Sequence, residues 1–162
     1  IVMDEAVTSG RAFTGATMGA RPHDWMNIMG GSIGWGLAAS VGAAIAAPDR
    51  KVIALEGDGS AMYGIQGWWT AAHLKLPITY VIAQNQGYRI IKERLVSMQG
   101  CDQFIGMDMN DPVIDYVQMA QSMGLTAQRV DDPADLSEAL QRSIDAGRPH
   151  VIEVRVANGF GH

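Results

Sequence analysis

The 162-residue sequence predicts an α/β three-layer sandwich, with a mostly parallel central sheet and helices on both faces. Three observations predict it. Short apolar strand patterns alternate with helical ones across short connections. Gly-rich turns follow the strand patterns directly. In the second half, two Asp-Pro pairs and two later glycines frame a pair of helices, since Asp caps a first turn, Pro suits its first position and Gly suits the stop.

In chain order, Ile1-Val2-Met3 reads as a short buried strand ending at Asp4-Glu5. Ser9 to Met18 is a helix or a loop. Trp25 to Met29 is a second short strand, leading into Gly30-Gly31-Ser32-Ile33-Gly34. A helix then runs to Ala47, where Pro48-Asp49 ends it. The strand Lys51 to Leu55, a helix from about Ala61 to Leu74 and the strand Ile78 to Ala83 follow. Ser97 to Asn110 lacks periodicity and, with Gly100, Gly106 and several methionines, reads as a long loop, either mobile or covering the site. Asp111-Pro112 opens a helix whose apolar stripe is Val113, Val117, Ala120 and Met123, with Gly124 at its stop. Asp132-Pro133 opens the last helix. Leu136, Ala139, Leu140 and Ile144 face the core, Asp135 and Glu138 suit the dipole, and Gly147 ends it. Val151 to Val156 closes the sheet. Without repeat or linker, residues 1–162 form one domain.

Bulk properties narrow the function. Hydrophobic residues make up 48% and charged residues 18%, a lean charge count that favours burial of some surface against a partner. The net charge of −5, with no run of more than two Lys/Arg, speaks against nucleic-acid binding. The single cysteine, Cys101, allows no internal disulfide and fits a reducing compartment, the cytoplasm. The run Ile33 to Ala47 is shorter than the ~20 residues a membrane span requires, so no membrane role is expected.

The chemistry is concentrated in Gly57-Asp58-Gly59-Ser60 and Gln84-Asn85-Gln86-Gly87-Tyr88. Each follows a parallel-strand pattern, at the sheet edge where α/β proteins bind ligands. Asp58 offers a carboxylate oxygen, Asn85 an amide carbonyl, and the backbone carbonyl near Gly87 a third donor. Mg²⁺ takes six oxygens and seldom draws all of them from protein, so two diphosphate oxygens and a water complete the set. Gly57 and Gly59 admit a ligand against bare backbone, and Ser60 with the amides that follow faces phosphate. A lone Gly-Asp-Gly is more often a simple turn. Asn85, however, stands 27 residues after Asp58, the length of one helix plus one strand, which returns the chain to the same sheet edge.

These two stretches together resemble the signature of thiamine-diphosphate-dependent enzymes. The wider chain is similar to the diphosphate-binding (PP-type) C-terminal domain of the benzoylformate decarboxylase and acetolactate synthase group. Supporting stretches are Gly30-Gly31-Ser32-Ile33-Gly34-Trp35-Gly36, Pro48 to Ala54, and Trp69-Thr70-Ala71-Ala72. The resemblance implies the thiamine-diphosphate-binding fold, with thiamine diphosphate and Mg²⁺ as cofactors. Asp58, Asn85 and the Gly87 carbonyl would be the metal ligands. Gly59, Ser60 and Tyr88 would contact the diphosphate, with Thr8 and Ser9 adding contacts from the first loop. The Gly31 backbone would accept from the aminopyrimidine, and Ser32 would be a further cofactor-binding residue. Ile33 would be the bulky residue that bends the cofactor, bringing its 4′-nitrogen beside C2. Read without the family, Ile33 is a core residue at a helix start. Where the family usually has two asparagines, this chain has Gln84-Asn85, so only the position before the ligand departs.

The resemblance also implies an activating glutamate from another domain or chain. Glu5, Glu56, Glu93, Glu138 and Glu153 stand in none of the expected contexts. The chain, which begins at Ile1, is therefore expected to be a fragment or subunit of a larger enzyme. It would form a homo-oligomer, dimer or tetramer, pair with a pyrimidine-binding domain, act on a small 2-oxoacid and turn over little by itself. Decarboxylation of a benzoylformate-like substrate leads; acetolactate synthase-like carboligation and acyl-CoA cleavage are alternatives. His73 and His23 are acid/base candidates for which surface or interface roles are favoured, Trp68 and Trp69 suit core or interface, and Tyr88 to Met109 is a candidate substrate-pocket lining. From another class, Gly34-Trp35-Gly36-Leu37-Ala38-Ala39 matches the nicotinamide-binding pattern G-x-G-x-x-A, with Glu56 near the ribose-binding position, but that reading leaves Asp58 and Asn85 unexplained.

Overall fold

Among the described residues, six strands pair in one sheet, each pair parallel, in the order β2-β1-β3-β4-β6-β5. They are β1 (Val2–Glu5), β2 (Trp25–Asn27), β3 (Val52–Gly57), β4 (Ile78–Gln84), β5 (Thr126–Val130) and β6 (His150–Arg155). The structure, a computed structural model, describes residues 1–159. Parallel neighbours need crossover connections, and these supply the helices: α1 (Phe13–Ala16), α2 (Trp35–Ala46), α3 (Asp58–Ala61), α4 (Gly67–His73), α5 (Arg89–Gln99), α6 (Tyr116–Ser122) and α7 (Leu136–Asp145).

Strand alternation divides the side chains between two cores. Val52 and Ala54 of β3, Ile78, Tyr80 and Ile82 of β4 and Val151 of β6 pack with Leu37, Val41 and Ala44 of α2, Trp68 and Ala71 of α4, and Tyr116 and Ala120 of α6. Ile152, the next residue of β6, enters a smaller core with Val130 and Ala139. Thr79, between Ile78 and Tyr80, hydrogen-bonds the Ser143 hydroxyl of α7 at 2.8 Å. Helices thus cover both faces unevenly. On the less covered side, Ile53 and Leu55 of β3 are only half-buried. Trp68 anchors the larger core, wholly buried with its ring 6.1 Å from Tyr80 and 6.4 Å from Tyr116.

Four expectations are corrected. The helix from Ala61 to Leu74 is broken into α3 and α4, because the intervening turn crosses the start of α2: a Cβ on Gly64 would stand 2.8 Å from the Gly34 carbonyl oxygen. The helix after Asp111-Pro112 starts later, at Tyr116, where the Asp115 carboxylate accepts from Gln118 N–H; Val113 lies outside it and is exposed. The aperiodic stretch begins only after α5, which occupies Arg89–Gln99. Finally, β5 is an edge strand where none was expected. Elsewhere Asp132 caps as anticipated, accepting from Ala134 N–H, but Pro133–Asp135 forms a 3₁₀ turn before α7.

This topology sets Glu5, Gly57 and Gln84 at the C-terminal ends of three neighbouring strands, with Glu5 in register with Glu56 and Gly57 with Ala83. The loops that follow them meet at one edge.

Candidate functional site

One pocket at that edge is lined by Thr8, Ile33, Asp58, Gly59, Ser60, Asn85, Gly87 and Tyr88, together with Ala6, Tyr63 and Arg89 to Ile91. Eight residues singled out from the sequence therefore converge on it. Ser9, Gly31 and Ser32 do not line it: Ser9 N–H closes the turn on the Ala6 carbonyl, and Gly31 and Ser32 are exposed in the Gly30–Gly34 loop.

Asp58 is 2% exposed and Asn85 5%. Each is held by its own loop. Asp58 Oδ1 accepts from Gly59 N–H at 2.9 Å and Oδ2 from Gln86 N–H at 2.6 Å, so its carboxylate ties the β3 turn to the β4 turn. Asn85 Oδ1 accepts from Gly87 N–H at 3.0 Å, which curls the second turn, and Gln86 takes a positive φ of 61° to complete it. From below, the Tyr116 hydroxyl donates to the Asp58 carbonyl oxygen at 2.8 Å. From above, a strap formed by 107–109 exchanges backbone bonds with the turn: Tyr88 N–H donates to the Met107 carbonyl, and Met109 N–H to the Gln86 carbonyl. Lys92, which is buried, pairs with Asp108 at the same place. Gly59 is glycine for space, since a Cβ would stand 3.0 Å from the Tyr88 ring. Gln84 turns away, donating from Nε2 to the Ile114 carbonyl at 2.7 Å, so the departure from a paired-asparagine pattern affects packing behind the site.

Burial pushes the Asp58 carboxyl up to about 6, against the backbone N–H groups that favour its ionised form. A buried carboxylate raised in this way, with lone pairs left beside an amide oxygen, has the character of a site that gains from a cation. Among the described residues no cluster of three His, Cys, Asp or Glu could form a cage. The donors therefore fit a hard cation that brings most of its ligands with it, as Mg²⁺ does with a diphosphate.

Across the pocket, Ile33 is 41% exposed and reaches in from the Gly30–Gly34 loop. Gly30, Gly31 and Gly34 all have positive φ, from 64° to 93°, a backbone conformation that glycine adopts without strain. Ile33 N–H closes on the Gly31 carbonyl at 3.0 Å. The end of the loop is clamped by Glu5, whose two oxygens accept from the N–H groups of Gly34 and Gly36, both at 2.5 Å. Beside it lies Glu56, 1% exposed, with neither oxygen hydrogen-bonded among the described residues. Burial first, then the neighbouring charges of Glu5 and Asp4, hold the Glu56 carboxyl well above the ordinary carboxylate range.

Glu5 and Tyr116 escaped the sequence reading. An acid at a strand end ahead of a Gly-rich stretch could have flagged Glu5, whereas nothing local marks Tyr116. Of the remaining candidates, Trp68 is core and Trp69 is exposed, with His73 stacked on it at 5.0 Å. Within the Tyr88 to Met109 stretch, Tyr88 to Ile91 line the pocket and Met98 is exposed. The nicotinamide-binding reading is weakened by the clamp. The amides of Gly34 and Gly36 that a dinucleotide phosphate would use are occupied by a carboxylate, whose charge repels an anion.

Residues 10–154 match the family model described as "Thiamine pyrophosphate enzyme, C-terminal TPP binding domain". A Mycobacterium tuberculosis protein with a provisional name, acetolactate synthase large subunit IlvX, is 42% identical over 99% of this chain and 32% of its own length. Benzoylformate decarboxylase of Pseudomonas aeruginosa is 32% identical over 95% of this chain and 29% of its own. Among solved structures, the thiamine diphosphate-dependent 4-hydroxybenzoylformate decarboxylase of Rhodococcus jostii RHA1 superposes with a TM-score of 0.77 and 36% identity, over 83% of this chain and 25% of that one. The chain thus spans about a third or less of the relatives it matches.

Proposed function

This chain belongs to the thiamine pyrophosphate enzymes, as their C-terminal cofactor-binding domain, and on that premise we propose that it binds Mg²⁺ and the diphosphate end of thiamine diphosphate in an enzyme acting on a 2-oxoacid. (Pyrophosphate and diphosphate name the same group.) The observation that carries the reading is the convergence of Asp58 and Asn85, from neighbouring strand ends, on one pocket with Gly59, Ser60 and Thr8. In this reading Asp58, Asn85 and the Gly87 carbonyl ligate the metal. Gly59, Ser60 and Tyr88, with Thr8 from the first loop, contact the diphosphate, and Ser9, outside the pocket lining, holds the turn of that loop through its N–H to the Ala6 carbonyl. Gly31 and Ser32 lie toward the aminopyrimidine, and Ile33 supports the cofactor from below.

Thiamine diphosphate, when bound, supplies an acidic C2–H and an electron sink for the carbon bond next to a 2-oxo group. The residues of this chain hold and orient it. Asp58 neutralises the metal charge from a buried position, and the mostly apolar wall of Ile33, Ile90 and Ile91 excludes water from the ring side. Among the described residues, the one acid that lines this pocket, Asp58, belongs to the metal half, and Glu5 is engaged by the α2 amides. The activating glutamate then comes from a pyrimidine-binding domain or subunit. Exposed Met18, Met29, Tyr63, Trp69 and Ile105 support a partner surface, in keeping with a homo-oligomer.

Decarboxylation of a benzoylformate-like acid is the leading reaction, supported by relatives of that name in both sequence and structure. The 42% identity to a protein named for acetolactate synthesis favours carboligation as a second reading. Titration calorimetry with thiamine diphosphate should give binding that requires Mg²⁺, and NADH should give none. Binding of NADH in place of thiamine diphosphate overturns the assignment. In the complete enzyme, aldehyde release from benzoylformate set against acetolactate formation from pyruvate separates the two reactions.

A further inference from the structure

We propose that Glu5 is a positioning residue for the cofactor ring: through the amides of Gly34 and Gly36 it sets where Ile33 stands beneath the bound thiamine. The inference rests on the proposed cofactor reading and extends it to a residue outside the pocket lining.

Little else restrains the loop. Between β2 and α2, Met29 to Ile33 are exposed, and Gly30, Gly31 and Gly34 take positive φ. The backbone bonds of Ser32 and Ile33 close on Met29 and Gly31 within the loop itself. The loop is tied to the sheet at its two ends: Ile28 N–H donates to the Asp4 carbonyl at 3.3 Å, and Gly34 and Gly36 donate to Glu5. The Glu5 attachment is the shorter and the charged one, and it sits one residue from Ile33.

The fit around it is tight. Glu5 is 1% exposed. A Cβ on Gly36 would stand 2.1 Å from Glu56 Oε1 and 3.0 Å from Glu5 Oε2, and a Cβ on Gly34 would stand 2.7 Å from the Tyr63 Cβ. Each Glu5 oxygen receives a different amide, so the carboxylate fixes both the height and the rotation of the first turn of α2. Its charge also complements the amino end of that 12-residue helix. A glutamine of the same shape could accept only one of the two bonds and would turn an NH₂ donor toward the other N–H. The loop would then shift, carrying Ile33 with it, while Asp58 and Asn85, held by their own turns, would stay in place.

The test uses the natural polypeptide that carries this chain, with Mg²⁺ and two probes: thiamine diphosphate, and inorganic pyrophosphate, which reads the metal half alone. Glu5→Gln should weaken thiamine diphosphate by about 5- to 10-fold, no more than loss of the Ile33 contact through which it acts, and pyrophosphate by less than twofold. Hydrogen exchange at Ile33, Gly34 and Gly36 should rise together. In an Ile33→Ala background the same substitution should cost much less, which a merely structural role would not produce. If Glu5→Gln does not fold, Glu5→Asp, which keeps the charge and withdraws both oxygens by one methylene, is read in the same way. Equal loss of both probes, or loss of neither, overturns the assignment. Wild-type protein that binds neither probe overturns the proposed function instead, and the Glu5 role falls with it.

Discussion

At the ends of β3 and β4 the site consists of buried side chains that hydrogen-bond to their own turns, whereas the Gly30–Gly34 loop opposite is mostly exposed and is held by a carboxylate from a third strand. A ligand meeting the first half finds its donors already fixed, with little orientation left to lose. The second half can adapt to what rests on it, and its position depends on Glu5. The difference suits the proposed division of labour: an invariant metal and diphosphate on one side, and a larger ring system on the other.

The largest effect is expected where the buried half is broken. Asp58→Ala should abolish Mg²⁺-dependent binding of thiamine diphosphate and of pyrophosphate alike, by more than roughly 100-fold, a loss that calorimetry reads directly. Unchanged binding would show that the metal half lies elsewhere. Next is pH. The Asp58 carboxyl, at about 6 in the metal-free fold against an ordinary value of 3.8, holds a proton that the unfolded chain has already released between those values. Metal-free stability should therefore fall as pH rises through this window, while metal affinity should rise through about pH 6, because proton and cation compete. Between pH 7.5 and pH 5 the Mg²⁺-dependent affinity should drop roughly tenfold; a flat profile would contradict the raised carboxyl.

The adaptable half should respond more selectively. Ile33→Ala is expected to weaken thiamine diphosphate by roughly 5- to 10-fold, about the effect of the lost apolar contact, and to leave pyrophosphate unchanged; parallel loss of both ligands would erase the distinction between the halves. The smallest effect belongs to the support beneath Asp58. Tyr116→Phe removes the hydroxyl that donates to the Asp58 carbonyl and should lower unfolding free energy by about 1–2 kcal/mol in a urea titration. A neutral result would mean that the β3 turn keeps its place without it.

Legibility from sequence followed the range of the interactions. The Asp58 and Asn85 turns were readable because each lies directly after a strand pattern, and their defining bonds join residues one or two apart. The bond that links the turns joins residues 28 apart, within the reach of a single α-β unit. The weak elements were not readable. Strand β5 is an edge strand carrying polar Gln128 and Arg129, and α5 buries only Lys92 fully. The break between α3 and α4 was hidden because its cause, close approach to Gly34 and Leu37, comes from a segment far back in the chain.

The sequence by itself determined the parallel α/β class, the strand ends that carry Asp58 and Asn85, and the kind of ligand such oxygens suit. All of these follow from local patterns and from one repeat of helix plus strand. Tertiary structure alone decided what secures them. Glu5 reaches Gly34 and Gly36, which lie 29 and 31 residues away, because β1 pairs with β3 directly beneath the start of α2. Tyr116 reaches Asp58 across 58 residues because α6 packs against the same core. A carboxylate finds its amides and a hydroxyl its carbonyl only after the sheet order is set. The same acid that reads as unplaced in the sequence then becomes the clamp of the loop that faces the pocket.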